Sequence, residues 1–311
     1  MSKHRVGVIG LGKIAQDQHL PVIAKNPAFE LIATSSTRGL KAPGARDAFK
    51  HHADLLKLAD VDAVAICTPP QVRHRIAREA LEAGKHVMLE KPPAATTAEL
   101  TDLERIAKKK NLVLFTTWHS QYNAAVDDAK AFLTSRTIKS MLVTWKESVR
   151  KWHPGQAWIW EAGGFGVFDP GINALSIVTK IMPEPVFITA ADLSFPSNCQ
   201  SPIAANLDLT SGRDDQKLRC EFDWREAAGE NWNIAIETHD GKKVNLLKGG
   251  TVLEIDGKRV KENKSEEYEG IYERFDGLLT KKQSAVEYEP FQLVADAFML
   301  GKRLTVEAFH E

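Results

Sequence analysis

From residue 5 to residue 120 short apolar runs alternate with amphipathic stretches, and that alternation leaves few folds open to the chain. Arg5 to Ile9, Leu31 to Ser35, Ala63 to Cys67, His86 to Leu89 and Val113 to Thr117 have the length and composition of strands. Ile14 to Lys25, Val72 to Ala83 and Thr97 to Lys109 have helical spacing, and Asp47 to His51 and Asp54 to Lys57 read as short helical pieces. Thr96 or Thr97, followed by Glu99, is a helix start signal. Strands separated by helices pair in parallel, and a parallel sheet is covered on both faces. The expectation is a doubly wound α/β domain over residues 1–120.

Beyond residue 120 the period changes to longer alternating runs: Lys139 to Val149, Val186 to Phe195, Gln216 to Trp224, Ile234 to Thr238 and Val244 to Leu247. These read as antiparallel strands, with hairpin turns at Asp240-Gly241 and Asp256-Gly257. Helices are expected at Asn123 to Thr134, Asn173 to Ile181, Glu266 to Thr280 and Phe291 to Leu300. Residues 121–311 therefore form an α+β domain on an open, mainly antiparallel sheet. An open sheet has a face and edges to cover, which points to a homodimer built on it. Two domains also suit 311 residues, more than one core usually serves.

Lysine plus arginine balances aspartate plus glutamate at 41 each, which argues against nucleic-acid and membrane partners and for a small neutral ligand. Cys67, Cys199 and Cys220 lie outside any paired spacing, so neither a disulfide framework nor a zinc site is expected, and a reducing cytoplasm is the simplest setting. Val6 to Leu11 is too short an apolar run for a signal peptide or a membrane span. No His, Cys or carboxylate cluster has metal-ligand spacing, and Lys108 to Lys110 reads as an exposed helix end.

The first predicted strand runs into Gly10-Leu-Gly12-Lys13-Ile14-Ala15. Gly10 takes the tight-turn position, Gly12 the position of close approach to a pyrophosphate, and Ala15 the helix-packing position of a Rossmann dinucleotide site. Lys13 and Ile14 open the helix whose N-terminal amides face the phosphates. The end of the second strand has no acid for a ribose 2′-hydroxyl; Ser35, Ser36, Thr37 and Arg38 stand there. Small hydroxyls and a guanidinium suit a 2′-phosphate, so NADP is expected over NAD, with NAD also accepted. An ordinary exposed arginine is the plainer reading of Arg38. Thr68 and Pro69, after the third strand of the predicted sheet, are placed along the nicotinamide half.

Lys91 lies in a Glu90-Lys91-Pro92 triplet at the end of the strand His86 to Leu89, at the sheet edge where such folds bind ligands. A lysine topping a strand for no chemical reason is the alternative. Asp169 follows a flexible-looking Gly163-Gly164-Phe165-Gly166 segment, and Asn173 is one helical turn on, so both point to one side. Capping of a helix starting near Pro170 would also explain Asp169.

Together the Gly-x-Gly-x-x-Ala opening, Glu90-Lys91-Pro92 and Asp169-x-x-x-Asn173 resemble the glucose-fructose oxidoreductase, inositol dehydrogenase and rhizopine catabolism family, written Gfo/Idh/MocA, over essentially the whole chain. Trp145-Lys146-Glu147 and Trp152-His153-Pro154, with His119, resemble its bacterial aldose 1-dehydrogenases acting on L-arabinose and D-galactose. The resemblance implies a substrate between a nucleotide domain and an α+β domain, with Lys91 and Asp169 facing the sugar and Glu90 and Lys91 beside the cofactor. It also implies a cis bond between Lys91 and Pro92, which is accessible before proline.

Many members carry His where Asn173 stands, and Asn cannot accept a proton. Asp169 is then the expected base, with Lys91 and Asn173 fixing the same oxygen; a neutral Lys91 is the other choice. Glu147, His153 and His119 suit ring hydroxyls, and Trp152 or Trp232 suits the apolar face of the ring. The expected activity is oxidation of L-arabinose and D-galactose at C1 to the aldonolactone. Dehydrogenation of another sugar or cyclitol, or a non-catalytic NADP-dependent sensor, are the alternatives.

Overall fold

The computed structural model describes residues 3–310. They form two compact units, one ending its first segment at Trp118 and the other beginning at His119. The first segment ends two residues before the expected boundary at residue 120, and Tyr268–Glu287, placed by sequence in the second domain, belongs to the first unit.

The first unit holds a parallel six-stranded sheet made of β1 (His4–Ile9), β2 (Phe29–Ser35), β3 (Asp47–Phe49), β4 (Ala63–Ile66), β5 (His86–Leu89) and β6 (Leu114–Thr116), in the order β3-β2-β1-β4-β5-β6. The order turns between β1 and β4, which opens a ligand crevice at their C-terminal ends. β4 is buried at every position and β5 at three of four, as strands covered on both faces must be. Asp47 to His51, expected to be helical, instead begins with β3, because pairing with Ala33 to Ser35 outweighs a three-residue helical preference. The helix after Gly12 is wider than expected: Ala15–His19 has π geometry before α1 (Leu20–Lys25). Then come α2 (His52–Leu56), α3 (Pro70–Glu82) and α4 (Thr97–Lys110). α4 starts in a Thr96–Glu99 capping box and stops at Asn111, whose φ of 55° ends the helix in the left-handed region.

The second unit is built on nine strands: β7 (Ile138–Lys146), β8 (Phe187–Pro196), β9 (Ala204–Thr210), β10 (Lys217–Asp223), β11 (Asn231–Thr238), β12 (Lys243–Leu247), β13 (Val252–Ile255), β14 (Lys258–Glu262) and β15 (Lys302–Val306). Their order is β14-β13-β12-β11-β7-β10-β9-β8-β15. Two pairings, β7 with β10 and β8 with β15, are parallel and the others antiparallel, in keeping with the mainly antiparallel sheet expected. Both hairpins form, and at Asp256-Gly257 both residues have positive φ (52° and 75°), as a two-residue type I′ turn requires.

Helices α5 (Val126–Leu133), α6 (Val149–Trp152), α7 (Phe168–Ile181) and α9 (Glu289–Leu300) belong to this unit, and α8 (Glu267–Lys281) lies mainly in the first. α6 replaces the end of the strand expected to run to Val149. α7 comes so near β10 that a Cβ on Gly171 would stand 2.8 Å from the Phe222 ring. β7 alternates buried and exposed, and Leu142 (41 % exposed) and Phe187 (56 %) lie bare in the single chain. Among the described residues no helix is long and apolar enough to cross a membrane, and no cluster of His, Cys, Asp or Glu is placed to hold a metal.

Candidate functional site

In the first unit main-chain geometry does most of the work. Gly10 has φ 93°, its N–H donates to Ser35 O at 2.8 Å, and a Cβ there would stand 2.9 Å from the backbone of Cys67 and Thr68. Only glycine fits so close an approach. A Cβ on Gly12, by contrast, would meet nothing within 4 Å, and Thr68 Oγ1 is buried without a protein partner. Open space over the turn and an unsatisfied hydroxyl beside it fit a dinucleotide pyrophosphate and its attached groups. Lys13 is exposed and pairs with Asp17, Ile14 is half-buried and Pro69 exposed.

Ser35 is buried; Ser36, Thr37 and Arg38 form the turn after β2, where Ser36 Oγ accepts from Leu40 N at 3.1 Å. Thr37 and Arg38 are exposed at its tip. A Cβ on Gly39 would lie 3.0 Å from Lys50 Cγ, so the Lys50 stem runs along the same turn. Sequence reading gave Lys50 no role, since it stands 12 residues after Arg38 in a segment expected to be helical.

The Glu90 carboxylate is turned into the interior, 3 % exposed. Oε1 accepts from Tyr268 OH at 2.6 Å and lies 3.0 Å from His19 Nε2, while Oε2 accepts from the Lys91 N–H at 2.9 Å. His19 Nδ1 meets Tyr272 OH at 2.9 Å. Burial disfavours the imidazolium, but Cys67, Tyr272 and Glu90 outweigh it and hold the His19 pKa well above the ordinary value. Lys91, partly exposed, follows directly, and the Lys91–Pro92 bond is cis as the resemblance implied.

The second unit assembles its polar groups side chain to side chain. β7 and β10 run parallel, with Lys146 opposite Asp223, so Glu147 and Trp224 leave the sheet at the same end. β11 runs against β7 and sets Trp232 opposite Trp145, their rings 6.1 Å apart. The Glu147 carboxylate, 5 % exposed, therefore takes one indole on each oxygen: Trp224 Nε1 donates to Oε1 at 3.2 Å and Trp232 Nε1 to Oε2 at 2.8 Å. Trp152 stands 5.7 Å from the Trp232 ring and His153 5.2 Å from that of Trp224. His153 Nε2 is 3.3 Å from Asp169 Oδ2, and its Nδ1 is 3.3 Å from Gln156 Oε1. Trp232, Glu147, Trp224, His153 and Asp169 thus form one chain of contacts.

Asp169 is buried in the first turn of α7, with half-buried Asn173 one turn further along the same helix. It does not cap that helix: Val167 occupies the cap, and no side chain bonds the first amides from there. Nor is the preceding glycine segment loose. Cβ atoms on Gly164 and Gly166 would fall 2.5 Å from Ile159 O and 2.2 Å from Pro202 O, and Ser201 Oγ donates to Gly164 O at 3.1 Å.

His119 joins a neighbouring cluster, its Nδ1 3.1 Å from Glu267 Oε2. Asn123 Nδ2 donates to Glu267 Oε1 at 2.7 Å and to Gly249 O at 2.8 Å. Burial would raise the Glu267 pKa, but His119 and the hydrogen bonds of Ser120 and Asn123 hold it below the usual range. Trp224, Gln156 and Glu267 were missed by the sequence reading; Gln156 lies only three residues from His153, whereas only folding brings Trp224 to Glu147 and Glu267 to His119 and Asn123.

A family model described as an oxidoreductase family with an NAD-binding Rossmann fold, Gfo/Idh/MocA, matches residues 4–117. A galactose 1-dehydrogenase of Pseudomonas fluorescens is 45 % identical over 312 residues, the full length of both chains. The crystal structure of a D-galactose-1-dehydrogenase from Rhizobium etli superposes with a TM-score of 0.94 at 51 % identity, over 100 % of this chain and 99 % of that one. A 3-ketoreductase of Actinomadura kijaniata, at 19 % identity and a TM-score of 0.87 over 98 % and 100 % of the two chains, shares the fold. With a glycine turn shaped for a dinucleotide, a second unit built on a mixed sheet with Asp169 on α7, and likeness from end to end, the chain belongs to the Gfo/Idh/MocA family of oxidoreductases.

Proposed function

We propose that the protein is an NADP-preferring aldose 1-dehydrogenase that oxidises D-galactose and L-arabinose at C1 to the aldonolactone. The observation that carries this reading is the contact chain from Trp232 through Glu147, Trp224 and His153 to Asp169. It sets apolar ring faces beside a buried carboxylate, the pairing a pyranose needs at its own apolar face and its hydroxyls. Full-length likeness to a protein named galactose 1-dehydrogenase supports the same substrate class.

Bound nicotinamide supplies the acceptor for the hydride that leaves C1. Asp169 takes the proton of the anomeric hydroxyl, and His153, with Nε2 3.3 Å from its Oδ2, keeps the carboxylate aimed. Lys91 donates to the same oxygen and steadies the charge that develops there, with Asn173 as a second donor. His119 and Glu147 bind ring hydroxyls, Glu147 also holding Trp232 as the wall against which the ring lies. Gly10, Gly12, Lys13, Ile14, Thr68 and Pro69 hold the pyrophosphate and nicotinamide half, and Ser35 to Arg38, joined by Lys50, hold the 2′-phosphate. A second copy covers the bare face of the nine-stranded sheet to give a homodimer, and three free thiols suit a cytoplasmic setting.

Reduced-cofactor formation followed with NADP and with NAD over D-galactose, L-arabinose, D-xylose, D-glucose and myo-inositol tests the reading. Galactose and arabinose should lead, with glucose at least about a hundredfold lower in kcat/KM because its inverted hydroxyl leaves a buried partner unpaired. Equal turnover of glucose, or none of any sugar, overturns it. Arg38→Ala should raise the KM for NADP alone; an equal rise for NAD removes the 2′-phosphate assignment.

A further inference from the structure

Arg73 lies on α3 with 3 % of its surface exposed, a permanently charged guanidinium inside the first unit. Nη1 donates to the carbonyls of Glu90 and Pro92, and Nη2 to that of Thr68. These acceptors belong to two loops. Thr68 follows β4 in the turn that packs on Gly10, whereas Glu90 and Pro92 flank Lys91 after β5. One planar fork therefore spans both strand ends, which a lysine ammonium, with its single nitrogen on a flexible stem, does less rigidly. The Lys91 N–H is held separately by Glu90 Oε2, so Arg73 completes the restraint of Lys91 from its other flank.

We propose that Arg73 is a positioning residue, tying the Thr68 loop to the Lys91 loop so that the cofactor-side hydroxyl and the Lys91 ammonium keep a fixed separation. The role of that separation rests on the function proposed above; the tie itself does not. Arg73 is absent from any substrate contact in this scheme, and its effect passes through the two loops.

Full-length Arg73→Met and Arg73→Lys are compared with Lys91→Met for kcat, for NADPH affinity by fluorescence, and for amide exchange in peptides covering residues 67–73 and 89–96. Both Arg73 variants should speed exchange in both peptides, Arg73→Met the more, and lower kcat on galactose by about ten- to a hundredfold, the scale of a reacting group displaced by about 1 Å. Arg73→Lys, retaining the charge, keeps the comparison if Arg73→Met does not fold. A purely structural arginine would lower the melting temperature and leave kcat of the folded enzyme and its paired exchange unmoved; that result, or faster exchange in one loop only, overturns the proposal. Should Lys91→Met keep full kcat while both loops still loosen together in the Arg73 variants, the tie stands and the role given to Lys91 falls.

Discussion

The two units anchor their buried polar groups differently. At the ends of β4 and β5 in the first, the main chain takes a large share: Arg73 bonds three carbonyls, and Glu90 bonds the Lys91 amide as well as His19 and Tyr268. In the second, the contacts run from side chain to side chain through indoles, from Glu147 to Asp169. Main-chain scaffolding fixes a turn whose ligand is the same for every substrate. Side-chain scaffolding can change one residue at a time, which is what discrimination among sugars demands.

That contrast can be broken by experiment. The largest expected effect is that of Asp169→Asn, which should lower kcat on galactose by about 10²- to 10⁴-fold while NADPH affinity, measured by fluorescence, stays put. A comparable loss of nucleotide affinity would mean the two sets of residues do not divide the work. An intermediate effect belongs to Glu147→Gln. Its amide keeps one acceptor oxygen for two indole donors, so one tryptophan loses its partner; KM for galactose should rise about tenfold with kcat nearly kept, since an unpaired buried group costs about 1–3 kcal/mol. Tryptophan emission should shift as well, and an unchanged spectrum would remove Glu147 as the anchor of Trp224 and Trp232.

The smallest effect sharpens the account of the first unit. His19 has a folded pKa above its unfolded value of about 6.5, so its contribution to stability is complete below that pH and is lost as pH rises through the folded value. The melting temperature of the native protein should exceed that of His19→Gln most near pH 6 and by less as pH approaches 9. A gap that widens with pH would reverse the assigned charge.

Much of the first unit is legible in the sequence because strands buried on both faces leave continuous apolar runs, and because Gly10 has a single steric explanation. β3 is not, being three residues whose only warrant is pairing with β2. In the second unit β9 carries Asn206 and Asp208 on its outer face and β15 is basic, so neither displays an apolar run, and parallel pairing of β7 with β10 leaves no local trace. Lys91, His153 and Asp169 were readable as polar residues past predicted strands, and Glu147 as a carboxylate near the end of one. Arg73 left a fainter signal: with Ile76, Ala77 and Ala80 it keeps the helical spacing of the buried face of α3, where a guanidinium calls for an explanation. His19 stands likewise among Ala15, Val22 and Ile23.

The return of Tyr268–Glu287 to the first unit limits how such a molecule can be taken apart or recombined. A cut after Trp118 would strip Phe29 and Phe115 of Phe275, and His19 and Glu90 of Tyr272 and Tyr268. A fragment ending there is an incomplete module rather than a free nucleotide-binding domain. A single crossover between relatives would graft a foreign helix onto the native sheet, so an intact exchange of that half must transplant two separate stretches of gene at once.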